Sequence, residues 1–347
     1  RRIVLVDGTF VPELSDLAAL EPGLTIRSMA QALASGDAAV AERLGRVVPN
    51  DNVAVALNTA FMGDGIVIEV AAGAALTRPL HLVFFNAGGA PASVFTRSLA
   101  VIGKGARAML IESHEGVAGS DYQINTALEI VVGDEAHVDH IKITGEGSGS
   151  LHVSSLMAAI GAQARFNEFL FTTAAAVVRN QLFVHFNGER TVAGIRGAAL
   201  LNGDQHADTT LVVDHTAGAC ISREVFKTVL DGESRGVFQG KIIVQQGAQK
   251  TDAKMSAHAL LLSEEAEADS KPELEIFADD VQCGHGATTG ALDDDLLFYL
   301  RARGIPAKEA EALMIQAFVG EAVDGIEHAG LRDTLIEHVA AWLKTRR

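Results

Sequence analysis

Cysteine is nearly absent from this chain: two residues in 347, Cys220 and Cys283. A single pair cannot build a disulfide framework, so a reducing compartment, the cytoplasm, is the expected setting. Aromatic residues make up only 5% of the chain, which weakens any reading that needs a platform for stacking sugars. Basic residues are short as well: 28 Lys and Arg against 44 Asp and Glu give a formal net charge of −16. A field of that sign repels phosphate backbones and anionic lipid, so neither nucleic acid nor a membrane surface is an expected partner. No apolar run approaches the roughly 20 residues that a bilayer span requires. No GxxxxGKS/T loop is present, so the chain is not expected to hydrolyse ATP itself. It begins at Arg1 rather than at a methionine, and a missing N-terminal segment is therefore expected.

What is present is apolar and rich in glycine: 48% hydrophobic residues and 34 glycines, ample for a continuous core. An apolar pair, a glycine and a small residue recur at Val101–Ala106, Val131–Ala136 and Ala159–Ala164. These copies lie about 30 residues apart, the period of stacked-coil architectures. Weaker echoes fall at Gly188, Gly203 and Gly247, and glycine suits tight corners that need positive φ. Between the corners run short alternating segments, such as Ile66–Val70, Ala136–Ile143, Gln181–Phe186 and Thr209–Val213, with the length and period of strands. From about residue 60 to 282 little helical periodicity exists to supply crossover helices. A sandwich, a barrel and a parallel β-helix all fit, and the coil-sized repeat favours the last.

The ends read differently. Residues 1–60 form an N-terminal segment with short helices leading into the core. Residues 61–290 form the β-rich body, and residues 291–347 a helical appendage. Asp293 or Asp294 caps the first of the C-terminal helices, and Pro306 suits the first turn of the next. Leu335, Ile336, Val339, Trp342 and Leu343 lie on one side of the last, as an amphipathic helix requires.

The most informative stretch is residues 278–290, ADDVQCGHGATTG. Alternate strand residues share a face, so Cys283 and His285 stand side by side, at a separation that a shared metal ion tolerates. Two ligands do not complete a site, so the rest must come from elsewhere in the chain or from a partner. Cys220 is expected to pack in the coil interior. The acidic run Asp293–Asp295 reads as a helix cap, and Asp279–Asp280 as a solvated turn or partner contact, rather than as metal sites. His137, His140, His152, His185, His206 and His215 are scattered through the β-region, facing solvent or stacked in a ladder, with no ligand spacing among them.

Three blocks, Asp214–Val244 (DHTAGACISREVFKTVLDGESRGVFQGKIIV), Ala248–Ala253 (AQKTDA) and Leu260–Ile305, stand in fixed order. In them the chain resembles the SufB/SufD family of iron–sulfur cluster assembly proteins. Within that family the CGHGAT block, with glycine on both sides of His285, is similar to SufD-type sequences. The resemblance implies a right-handed parallel β-helix followed by a small C-terminal α-helical domain. It also implies a non-catalytic scaffold that binds the SufC ATPase through residues 291–347. The last β-helix strands would pair with SufB, or with a second copy in a homodimer. His285, with Cys283, becomes a candidate ligand for iron or a nascent Fe–S cluster at that interface. The family also assists iron acquisition, the full complex can carry reduced flavin, and ATP enters only through SufC. Two rival readings are a polysaccharide-acting β-helix enzyme, using Asp204, Asp208 and Asp214 as acid–base pairs, and a metal-free structural homodimer.

Overall fold

A computed structural model of the chain describes residues 1–48 and 51–346. Its body is a parallel β-solenoid of about eight turns, in which successive strands alternate between two sheets. One sheet runs from Arg2–Val6 and Leu80–Asn86 out to Gln282–Gly290. The other runs from Ile66–Val70 out to Glu267–Ile276. Ile102, Val132, Ile160 and Phe186 stand in register on four consecutive strands of the second sheet. That register is the repeat seen in the sequence. Inward positions such as Ile130, Ala158 and Val184 are fully buried and form one continuous core along the axis.

Gly105 and Gly203 have the positive φ expected of corner glycines, but four others serve a different purpose. Gly103, Gly133, Gly161 and Gly188 do not have positive φ. A Cβ at Gly188 would lie 2.0 Å from Ala162 N, and one at Gly133 would lie 2.7 Å from Lys104 N. Stacked coils touch backbone to backbone at this corner, and only a residue without a side chain allows it. Positive φ falls two residues later instead, on Gly105, Glu135, Gln163 and Arg190.

The two ends of the solenoid differ. At the N-terminal end, Leu24–Ser28 pairs antiparallel with Ile66–Val70, and Thr9–Phe10 folds back antiparallel on Arg2–Val6. Helices Met29–Ala34 and Ala38–Arg43 start at the side-chain caps Ser28 and Asp37 and pack over Val67 and Leu99. A fully buried ion pair ties this segment down. Arg97 Nη2 lies 2.7 Å from Glu129 Oε1, and Glu129 also accepts from the backbone N–H groups of Gly45 and Val47. Breaking such a buried pair by losing one partner costs about 3–5 kcal/mol.

The C-terminal helices do not cover the opposite end. Ala307–Val323 and Ala329–Thr345 lie back along the outer face of the first sheet. There Ile315, Val319, Leu335, Val339 and Trp342 pack with Phe169, Phe171 and Leu200. Lys227 Nζ fastens the contact with an ion pair to Glu321 at 2.5 Å and sits 4.5 Å above the Phe318 ring. Helix Asp294–Ala302, capped by Asp293, buries no residue at all. Among the described residues, no helix is long and apolar enough to cross a membrane.

Candidate functional site at the open end of the solenoid

The last strand of each sheet, Gln282–Gly290 and Glu267–Ile276, has a neighbour on one side only. Cys283 stands in register with Ala253 and His285 with Met255. Both of those partners are buried members of the core. Cys283 and His285 therefore continue two interior columns of the solenoid, on the shared face that their spacing predicts. No coil follows to cover them. Cys283 is half-buried against the end of the core, and His285 is exposed. Burial pushes the Cys283 thiol up; the charges of Asp252 and Glu224 add to this, and the Ala253 backbone N–H partly offsets it. The thiol alone is thus a poor nucleophile, and a metal ion would have to displace its proton.

The two open edges are built differently. Glu267–Ile276 reads EADSKPELEI; its alternating charges and Pro272 are standard protection against strand addition. Gln282–Gly290 reads QCGHGATTG and carries none of those devices. Of the neighbouring acids, Asp280 is paired with Lys250 and Asp293 caps its helix. Arg235 is held by Asp269 at 2.5 Å. The rival acid–base reading does not bring Asp208 and Asp214 together, and Asp204 lies exposed in the turn before that strand. Asp208 is engaged by Arg179, and Asp214 sits six residues along the same strand, about 20 Å away.

Beneath His285 the column continues through Met255 to Glu224. The Glu224 carboxyl is fully buried, and neither oxygen has a hydrogen-bond partner. Burial raises its pKa to about 8, against smaller opposing pulls from Ser222 and Arg223. The folded chain therefore keeps a proton that the unfolded chain releases in the ordinary glutamate range, about 4.3. Stability should fall as pH rises through that window, by on the order of a few kcal/mol from this residue. In Glu224→Gln that component should vanish, and melting temperatures of the two proteins between pH 4.5 and 8 measure it. Parallel pH curves would remove Glu224 as the source.

A second concentration of polar side chains lies deep inside the solenoid. Of the six β-region histidines expected to face solvent or stack in a ladder, His137, His185 and His206 are partly exposed, whereas His140, His152 and His215 are buried inside. His114, His140 and His152 are all fully buried, because inward positions of their strands alternate with outward ones and these fall in the inward phase. His140 Nδ1 is 2.6 Å from Glu168 Oε2, and its Nε2 is 3.5 Å from Glu112 Oε2. Burial works against a charged imidazole there, but the two carboxylates outweigh it and raise His140 to about 10. Burial lowers Lys142 to about 8. Its Nζ donates to Thr144 Oγ1, Asn180 Oδ1 and, at 2.8 Å, His152 Nε2. His114 is lowered to about 4, again by burial, and stacks on Phe84. Cys220 is fully buried. The overlooked signal was charge in strand phase at the repeat spacing: Glu112 stands in register with Lys142, and His140 with Glu168.

Comparison with known proteins agrees with this architecture. Residues 84–318 match the SufBD core domain of the SUF system for FeS cluster assembly. Residues 1–82 match the SufBD protein N-terminal region. An iron–sulfur cluster assembly SufBD family protein of Synechocystis sp. is 33% identical over 350 residues, covering 98% of this chain and 77% of the relative. SufD of Escherichia coli K12 is 34% identical over 343 residues, covering 97% and 78%. SufD of Bacillus subtilis is 26% identical over 291 residues, covering 83% and 66%. With family matches along nearly the whole chain and a solenoid to match, this protein belongs to the SufBD family of iron–sulfur cluster assembly proteins.

Proposed function

We propose that this chain is a non-catalytic, cytoplasmic scaffold subunit whose open solenoid end is completed by a partner and holds iron or a nascent Fe–S cluster there. The observation that carries the reading is the unprotected edge strand Gln282–Gly290, with Cys283 and His285 facing inward on it. An exposed strand without charge or proline is a template for strand addition. The partner is SufB or a second copy of this chain, and it supplies the ligands that two side chains leave missing. Imidazole and thiolate both suit iron. The cluster is cargo, built at the interface and passed on. ATP enters through SufC, and reduced flavin belongs to the assembled complex.

SufC docks, in this reading, on residues 291–347. Leu296 (47% exposed), Phe298 (73%) and Tyr299 (50%) give helix Asp294–Ala302 an exposed apolar surface, on which the Arg303 guanidinium lies 3.5 Å over the Tyr299 ring. The neighbouring helix Ala307–Val323 grips strands Val192–Leu201 and Ile221–Leu230, close to the open end. Movement of the docked ATPase would thus reach the Cys283/His285 region through packed elements. Co-expression with tagged SufC and SufB tests the assembly. The chain should co-purify with SufC and with SufB, or with SufC as a homodimer. A chain that stays monomeric and free of SufC would overturn the reading.

A further inference from the structure

The buried cluster around Lys142 holds one grouping that its hydrogen bonds do not account for. His114 Nδ1 and Nε2, both oxygens of Glu146 and His152 Nδ1 have no hydrogen-bond partner. All three side chains are at least 98% buried. A ligand atom from each lies within 4.8 Å of the others, and His152 Nδ1 is 3.0 Å from Glu146 Oε2. Buried polar atoms are nearly always satisfied, so orphans gathered on one spot ask for an occupant. We propose that His114, Glu146 and His152 bind a divalent first-row transition-metal ion inside the solenoid.

The donor chemistry fits that class. Two imidazoles and a carboxylate form a set that Zn²⁺, Fe²⁺ and Co²⁺ accept. No thiolate is near to select a softer ion. The surroundings hold the ligands as outer partners do in metal sites. Phe84 stacks on the His114 ring at 4.5 Å, and Glu112 lies 4.0 Å from His114 Nε2. Lys142 fixes the His152 ring through Nε2. Binding at His152 Nδ1 displaces the proton there while the Lys142 proton shifts to Nε2, so one proton leaves per ion. Glu146 rides on the corner loop 145–150, whereas both histidines sit on strands, so the loop provides the way in.

This site is separate from the open end. Five strand spacings lie between His137–Thr144 and Gln282–Gly290, about 24 Å, so no ion is shared with Cys283 and His285. Co²⁺ titrated anaerobically into the purified full chain is the direct probe, read by visible absorption and by the rise in melting temperature on binding. Wild type and a Cys283→Ser/His285→Ala double variant should take up one Co²⁺ with equal affinity. Glu146→Gln and His114→Gln should weaken binding by more than about tenfold and abolish the thermal shift. X-ray absorption of the Co²⁺-loaded wild type should show nitrogen and oxygen ligands with imidazole scattering, a readout that needs no variant to fold. Sulfur ligation, unchanged affinity in both variants, or no uptake by folded wild type would overturn the proposal; in the last case water alone satisfies the orphan atoms.

Discussion

A Gly284→Lys/Gly286→Lys double variant is expected to fold normally and to lose its solenoid partner. A Cβ at either glycine meets nothing within 4 Å, and both residues point away from the core, alternating with Cys283 and His285. The isolated chain should therefore melt within a degree or two of wild type, as surface substitutions away from special features do. Lysine on an exposed edge is the device that natural sheets use to prevent strand addition. Here it is placed on the edge strand of the open end that lacks it. Affinity for SufB, or for a second copy, should drop by at least about tenfold, since each like-charge or desolvated ammonium in an interface costs more than 1.4 kcal/mol. Size-exclusion chromatography with light scattering, alone and with SufB, reads the outcome. An unchanged association would move the interface to another surface.

The second large effect is expected from Phe298→Glu/Tyr299→Glu. These side chains are 73% and 50% exposed on a helix that buries nothing, so the variant should keep the fold. Exposed aromatic pairs on a partner-facing helix are typical anchors, and truncating an anchor costs about 2 kcal/mol or more. A loss of at least about thirtyfold in SufC affinity follows. Calorimetric titration of SufC into wild type and variant measures it. SufC binding equal to wild type would show that helix Asp294–Ala302 is not the docking face. Pairing at the solenoid end should be untouched, which separates this result from the first.

Much of the architecture was legible in the residues because a solenoid repeats. The Val101, Val131 and Ala159 motifs stand one coil apart, and the register of Ile102, Val132 and Ile160 follows from them. Cys283 and His285 were legible for the simplest reason, since i and i+2 on a strand share a face. What stayed hidden is what depends on stacking. Strand Arg107–Gly116 runs Ala108, Leu110, Glu112, His114 along its inward face, so hydrophobic alternation breaks where the polar cluster begins. Polar residues in that phase read as solvent-facing from one strand alone. Glu146 reaches His152 and His114 only because consecutive coils bring a loop over two strands. Nor does the helical pattern after Gly290 say where the helices go. They fold back along the sheet instead of capping the end, and that choice leaves Cys283 and His285 uncovered. Positive φ is the right reason for Gly105 and Gly203 but not for Gly103, Gly133, Gly161 and Gly188, because close backbone approach between coils leaves no mark within a single coil.

The central claim is that His285 ligates iron or a nascent cluster at a shared interface. The decisive measurement is anaerobic cluster formation on the purified complex with SufB and SufC, followed by visible absorption and Mössbauer spectroscopy, comparing wild type with His285→Ala. His285 is exposed and contributes nothing to the core, so the variant complex should assemble fully. It should nevertheless bind cluster iron several-fold less than wild type. An assembled His285→Ala complex that forms clusters at the wild-type level would contradict the account.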